Sequence, residues 1–178
     1  MRTVAIATRR TRTSYNAAFA PRETVMSTTA FHVVAIDWSN AHDRDACRAV
    51  REAVFVIEQH VPIEDEWDEF DAISQHVLAR DAHGEAIGTG RLVPPQTSAP
   101  ARIGRMAVRG PWRGRHVGAA LLHALVERAR TLGYVTLEMH AQTHALAFYA
   151  RHGFAVCGNE FLECGIAHRP MRRHLDAE

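Results

Sequence analysis

The sequence predicts an α/β (α+β) domain with a mixed, mostly antiparallel central sheet flanked by helices. Two observations carry that class. Two strand-like runs, residues 75–81 and 86–93, meet at Ala82-His83-Gly84-Glu85, a hairpin turn signal. Residues 101–140 then read as strand, long helix, strand, the connection that sets parallel strands in one sheet. With 178 residues, 47% of them hydrophobic, the chain can bury one sizeable core.

The elements follow in order. Residues 1–25 carry Arg2, Arg9, Arg10, Arg12 and Arg22 against the single acid Glu23. They are expected to be a disordered tail, a transit segment or a start-site artefact with Met26 as the true start. Residues 26–178 are then a single domain. Residues 31–37 (FHVVAID) form a first strand. Asn40 caps a helix over residues 41–59, with Ala46, Val50, Val54 and Ile57 on one face. Pro62 ends it. An acidic segment follows, with Glu64, Asp65, Glu66, Asp68, Glu69 and Asp71. It reads either as a solvated loop or as an acidic mouth that attracts a cationic amine. Strands two and three are the hairpin, the third weakened by Gly88 and Gly90. Pro94, Pro95 and Pro100 mark a loop. Residues 101–108 are strand four. Residues 117–131 are a helix, because Val117, Leu121, Leu125 and again Leu122, Val126, Ala129 recur at helical spacing before a Gly133 stop. Residues 134–140 are strand five, and residues 142–152 a short helix. Residues 154–157 and 161–169 make a final pair of strands.

Composition excludes several functions. The formal net charge is +1, and without residues 1–25 there are 16 basic against 19 acidic residues. Nucleic acid is therefore not an expected partner. Every basic residue is arginine, which rules out a Schiff-base or Walker lysine. Cys47, Cys157 and Cys164 form no CxxC, so neither a disulfide framework nor a cysteine zinc site is expected, and a cytoplasmic setting is. No apolar run reaches the roughly 18 residues of a membrane span. His140 and His144 straddle a strand end, which breaks helical zinc spacing, so no metal is expected. Cys157 and Cys164 lie in apolar strand patterns that favour inert packing over a role as covalent nucleophile.

Residues 106–120, MAVRGPWRGRHVGAA, carry the functional signal. A helix starting at Val117 leaves its first amides unpaired. Gly114 and Gly118 let an anion approach closely, and Arg113 and Arg115 add cationic forks. The turn is a cradle for a pyrophosphate; the bland alternative is an ordinary strand-to-helix turn.

Arg113-Gly114-Arg115-His116-Val117-Gly118 resembles motif A of the GNAT acetyltransferases, Arg/Gln-x-x-Gly-x-Gly/Ala, with His116 where the family usually has glycine. Phe148-Tyr149-Ala150-Arg151-His152-Gly153-Phe154 resembles the family's second signature. Arg51-x-x-Val54-Phe55-x-x-Glu58-Gln59, Ala141-Gln142 and Glu163-x-Gly165-Ile166-x-His168-x-x-Met171 resemble the ElaA-like branch. Together these cover roughly residues 31–173.

The resemblance implies a strand four–strand five splay that admits acetyl-CoA as co-substrate. Backbone groups of Met106, Ala107 and Val108 would pair with its pantetheine arm, one amide polarising the thioester carbonyl. Amides from Gly114 through Arg115, His116, Val117 and Gly118 to Ala119 would take the pyrophosphate. Gln142 stands where the family often has a cofactor-contacting Asn. Tyr149 matches the general acid that protonates the departing thiolate; the bland reading is a buried aromatic whose hydroxyl finds a partner. An alkylamine is neutral only about once in 2,500 molecules at pH 7, a handicap of about 4.6 kcal/mol, so a base is needed. The candidates are Glu66, Asp68, Glu138, Glu163 and His168, and sequence does not choose among them. The expected acceptor is a small-molecule or peptidic amine. No metal or membrane is involved, and a homodimer is compatible with the sequence. The alternative is a non-catalytic acyl-CoA-binding or sensor module of the same fold.

Overall fold

The computed structural model describes residues 30–97 and 99–175. The expectations for residues 1–25 lie outside the described residues. Eight strands form one sheet: β1 (Phe31–Ile36), β2 (Gln75–Asp81), β3 (Ala86–Val93), β4 (Ala101–Val108), β5 (Thr136–Gln142), β6 (Ala155–Val156), β7 (Phe161–Glu163) and β8 (Ile166–His174). The order is β1-β2-β3-β4-β5-β8-β6, with β7 on β8. All neighbours are antiparallel except β4 and β5. The helices are α1 (Ala41–Arg51), α2 (Ile63–Glu66), α3 (Val117–Thr131) and α4 (Leu146–Arg151).

The sheet carries helices on both faces. α3 buries Val117, Leu121, Leu122, Leu125, Val126 and Ala129, the stripe its spacing predicts, in a core with Ile87, Ile103, Leu137 and Met139. α1 covers the other face, where Val50 and Val54 pack with Ala107. Asn40 caps α1, its side-chain oxygen accepting from the amides of His42 at 3.0 Å and Asp43 at 3.4 Å.

Three boundaries depart from the sequence reading. The helix over residues 41–59 changes at Glu52 into a π-helical stretch, Glu52–Glu58. The wider turn rotates the later positions, so Ile57 is 67% exposed while Cys47 and Arg51 join Val50 and Val54 in the interior. The helix over residues 142–152 shortens to a 3-10 turn, Thr143–Ala145, followed by α4, because β5 runs on to Gln142. Residues 161–169 are a hairpin rather than one strand: Cys164 and Gly165 have φ of 49° and 76°, the paired left-handed geometry of a tight two-residue turn. That turn exposes Cys164, and Cys157 is exposed too, so neither thiol packs inside as the pattern suggested.

The splay is present. β4 and β5 pair only at Ala101–Leu137 and Arg102–Glu138 and then part. On its other edge β4 carries a bulge. Thr89 pairs with Ala107 and Arg91 with Gly104, so β4 spends one extra residue opposite Gly90. Arg105 sits there at φ 51°. Gly90 is required: a Cβ would lie 2.6 Å from Met106 Sδ and 2.9 Å from Leu125 Cδ1.

Candidate active site

The turn between β4 and α3 presents a run of unsatisfied amides. Those of Gly114, Arg115 and His116 make no backbone hydrogen bond among the described residues, and those of Val117, Gly118 and Ala119 open the helix without intrahelical acceptors. No side chain caps α3. Gly114 has φ 74° and His116 φ 63°, so the chain coils left-handed twice within three residues. This accounts for histidine at a glycine position: it adopts the same backbone, at a cost of about 1 kcal/mol. Arg113 is not a loose fork. Its two terminal nitrogens donate to Glu58 at 2.6 and 2.7 Å, and its Nε donates to the Val108 carbonyl at 3.0 Å. Arg115 lies over the Trp112 ring, 5.3 Å from its centroid.

From the turn a cleft of about 1190 Å³ runs along the open edge of β4. Met106, Val108, Gly118 and Tyr149 line it, as do Glu66, Asp68, Glu163 and His168. Tyr149 packs against the α3-side core, edge-on to Phe148 at 5.0 Å. Its hydroxyl makes no hydrogen bond among the described residues, and desolvation pushes its pKa up to about 12. Gln142 donates to Gln59 at 2.9 Å, fastening β5 to the end of the π-helical stretch. Along β5, Leu137, Met139 and Ala141 enter the α3-side core, which turns Glu138, His140 and Gln142 to the opposite face.

On that face the acidic segment behaves as neither a plain solvated loop nor an open acidic mouth. Glu66 and Asp71 are buried, and three arginines hold them together with Asp68. Arg51 pairs with Glu66 and Asp71, Arg91 with Asp68 and Asp71, and Arg105 with Glu66 and Asp68. The Trp67 ring stacks over Arg48 and Arg51, each 4.7 Å from the ring centroid. Burial pushes the Glu66 carboxyl up against the pull of Arg51 and Arg105. Burial also acts upward on Asp68, but hydrogen bonds and charge from Arg91 outweigh it and hold the group below the usual range. The Asp65 carboxylate, also on the cleft wall, has no arginine partner among the described residues and faces the Cys164 thiol at 3.8 Å.

Of the remaining candidates, Glu163 and His168 line the cleft and Glu138 does not. Glu138 is taken by Arg172, whose Nε donates at 2.8 Å. Glu163 meets His140 Nδ1 at 3.2 Å, and that hydrogen bond lowers its pKa. The His168 ring stacks on Phe161 with centroids 5.9 Å apart, its Nδ1 donating to the Ile166 carbonyl at 2.8 Å. No group of three or more His, Cys, Asp or Glu among the described residues could hold a metal ion.

Against known proteins, a family model described as an acetyltransferase (GNAT) domain matches residues 40–175. The chain belongs to the GNAT acetyltransferase family. It is an acyltransferase, and its sheet and splay are those of a GNAT N-acyltransferase. It is 36% identical over 125 residues to the uncharacterized N-acetyltransferase YjcF of Bacillus subtilis, covering 70% of this chain and 87% of that one. Escherichia coli ElaA superposes with TM-score 0.73 at 27% identity, over 81% of this chain and 99% of that one. An acyl-CoA N-acyltransferase from Pseudomonas aeruginosa gives the same TM-score, 0.73, identity, 27%, and coverage, 81% and 99%. The ElaA-like resemblance read from the motifs is therefore upheld.

Within this GNAT domain, sequence reasoning missed the arginine–carboxylate network and the partner of Glu163. The network had one signal: Arg91 interrupts an otherwise apolar strand, and a buried arginine requires carboxylates. His140 had none, because its partner comes from a hairpin that the strand pattern concealed.

Proposed function

We propose that the protein transfers an acetyl group from acetyl-CoA to a small-molecule or peptidic amine by direct attack in a ternary complex. The observation that supports this best is the single cleft joining the amide-lined turn, the open β4 edge, Tyr149 and Glu163. The residues fit a CoA thioester. The unpaired amides from Gly114 to Ala119 suit a pyrophosphate, and the stretch Met106-Ala107-Val108, which β5 leaves unpaired and whose Val108 carbonyl alone is taken by Arg113, suits an amide-bearing arm. When bound, acetyl-CoA supplies the activated acyl group. An amide of the β4 edge polarises its carbonyl.

The protein's own groups handle two protons. Glu163, kept ionised, and His140 receive the one the acceptor nitrogen loses as it attacks the thioester carbon. Tyr149 gives the other to the sulfur as the C–S bond breaks; its raised pKa keeps the phenol protonated throughout the working range. The two sets lie on opposite faces of the sheet, so base and acid reach the gap between β4 and β5 from opposite sides. Glu66 and Asp68, committed to arginines, shape the acceptor wall, and the ring of His168 lines it beside Phe161.

Thiol release from acetyl-CoA, measured across a panel of amines, tests the reading. Release should depend on added amine, and Tyr149→Phe should lower kcat about 100-fold while acetyl-CoA binding persists. Binding without release for every acceptor would instead support the non-catalytic acyl-CoA module, and full activity in Tyr149→Phe would remove Tyr149 as the acid.

A further inference from the structure

One arginine on the acceptor face stands outside the ion network. Arg102 is half-buried and makes no hydrogen bond or ion pair among the described residues; its nearest aromatic partner is Phe70, 5.9 Å from guanidinium to ring centroid. The neighbouring carboxylate in register, Glu138, is already engaged by Arg172. The three network arginines are spent on three carboxylates, whereas the Arg102 guanidinium has no carboxylate partner of its own.

Its position is specific. Arg102 is the last residue of β4 paired with β5 before the two strands part. Two residues on is Gly104, where a Cβ would meet nothing within 4 Å, so a hollow opens in the sheet surface. Across from Gly104 in register is Arg91, whose buried Nε has no hydrogen-bond partner. The hollow thus lies beside an uncommitted guanidinium, with the buried, ion-paired Arg91 opposite it in the sheet. Arg102 and His140 also line a second cavity of about 300 Å³, walled largely by Phe70, Val93, Pro94 and Pro100.

We propose that Arg102, over the Gly104 hollow, is the subsite for a carboxylate carried by the acceptor amine. This rests on the acetyl-transfer reading above and names the acceptor class: an amino-acid-like amine whose apolar body lies in the second cavity. Arg102 pairs in register with Glu138, two residues before His140, and same-face positions on a strand are roughly 7 Å apart. The amine and the carboxylate are therefore only a few bonds apart. A planar guanidinium binds a carboxylate through two parallel hydrogen bonds, which orients the acceptor as well as holding it.

The test compares amino acids with apolar side chains and their carboxamides, which keep the amine and remove the charge. Thiol release should favour the acid over its amide at least tenfold in kcat/KM. Arg102→Gln should raise KM for the acid tenfold or more and bring the acid-to-amide ratio to about one. The same pairs are titrated calorimetrically into the CoA-loaded protein. An acid preference there, lost in Arg102→Gln, supports the subsite even if no amine is acetylated, which would count against the transfer reading alone. Equal binding of acid and amide to the wild-type protein, or an acid preference that survives Arg102→Gln, overturns the proposal.

Discussion

At the scale of single residues, two histidines carry separable consequences. His140 meets Glu163 on the acceptor side of the gap. If the pair takes the amine's proton, His140→Gln should lower kcat/KM about 100-fold at pH 7. The deficit should shrink as pH approaches the amine's own pKa, where the acceptor arrives already neutral. A pH profile of thiol release checks this, and a deficit constant with pH would mean that His140 only packs. His116, at φ 63°, is a different case. His116→Gly relieves the left-handed strain but loosens the unfolded chain. The balance should favour the folded state by up to about 0.5 kcal/mol, raising the thermal midpoint by at most about 2 °C in a calorimetric scan. The deviation from the motif was legible in the sequence; the φ angle that gives it meaning was not, because histidine alone does not announce a left-handed backbone.

At the scale of elements, the arginine–carboxylate network ties α1 and α2 to β3 and the β4 bulge. Its interior pairs make it vulnerable to loss of one partner. Arg51→Ala should destabilise the fold by about 3–5 kcal/mol, read from denaturant midpoints, because Glu66 is left buried beside Arg105 alone. The network also sets the response to acid. Asp68 has a pKa below its ordinary 3.8, so its contribution is present above that value and vanishes as pH falls through the lowered one. Unfolding of the wild-type chain should therefore set in below about pH 4. Elements with strong periodicity, β2, β3, β4 and α3, were legible from their apolar pattern and turn residues to their ends. The π-helical stretch was not, since a change of pitch leaves the residue types unaltered and shows only as Ile57 turned to solvent. The β7–β8 hairpin hid because Cys164-Gly165 is not a common turn pair.

At the scale of the molecule, the splay is a consequence of the bulge and of the chain order together. A parallel β4–β5 pair flanked by antiparallel partners is held from both outer edges, so the two strands can part over most of their length without exposing the core. Filling the gap should stiffen what is now joined by two residue pairs. CoA at a hundred times its Kd should add about 2.7 kcal/mol, a thermal shift of about 5–11 °C. The two motifs flanking α3 and α4 made the gap's existence legible. Its acceptor wall was not, because its arginine–carboxylate pairs join residues as much as 39 positions apart in sequence.

The Glu58–Arg113 clasp bears on how the nucleotide end should respond to electrolyte. Both partners are 45% exposed, and each has already spent its charge on the other. The cradle is left with amide dipoles and Arg115 rather than a field of bare cations. Attraction through dipoles at contact distance is barely shielded by mobile ions, whereas attraction between separated charges is. CoA affinity should consequently fall only about threefold between 0.05 and 0.5 M sodium chloride, as followed by isothermal titration.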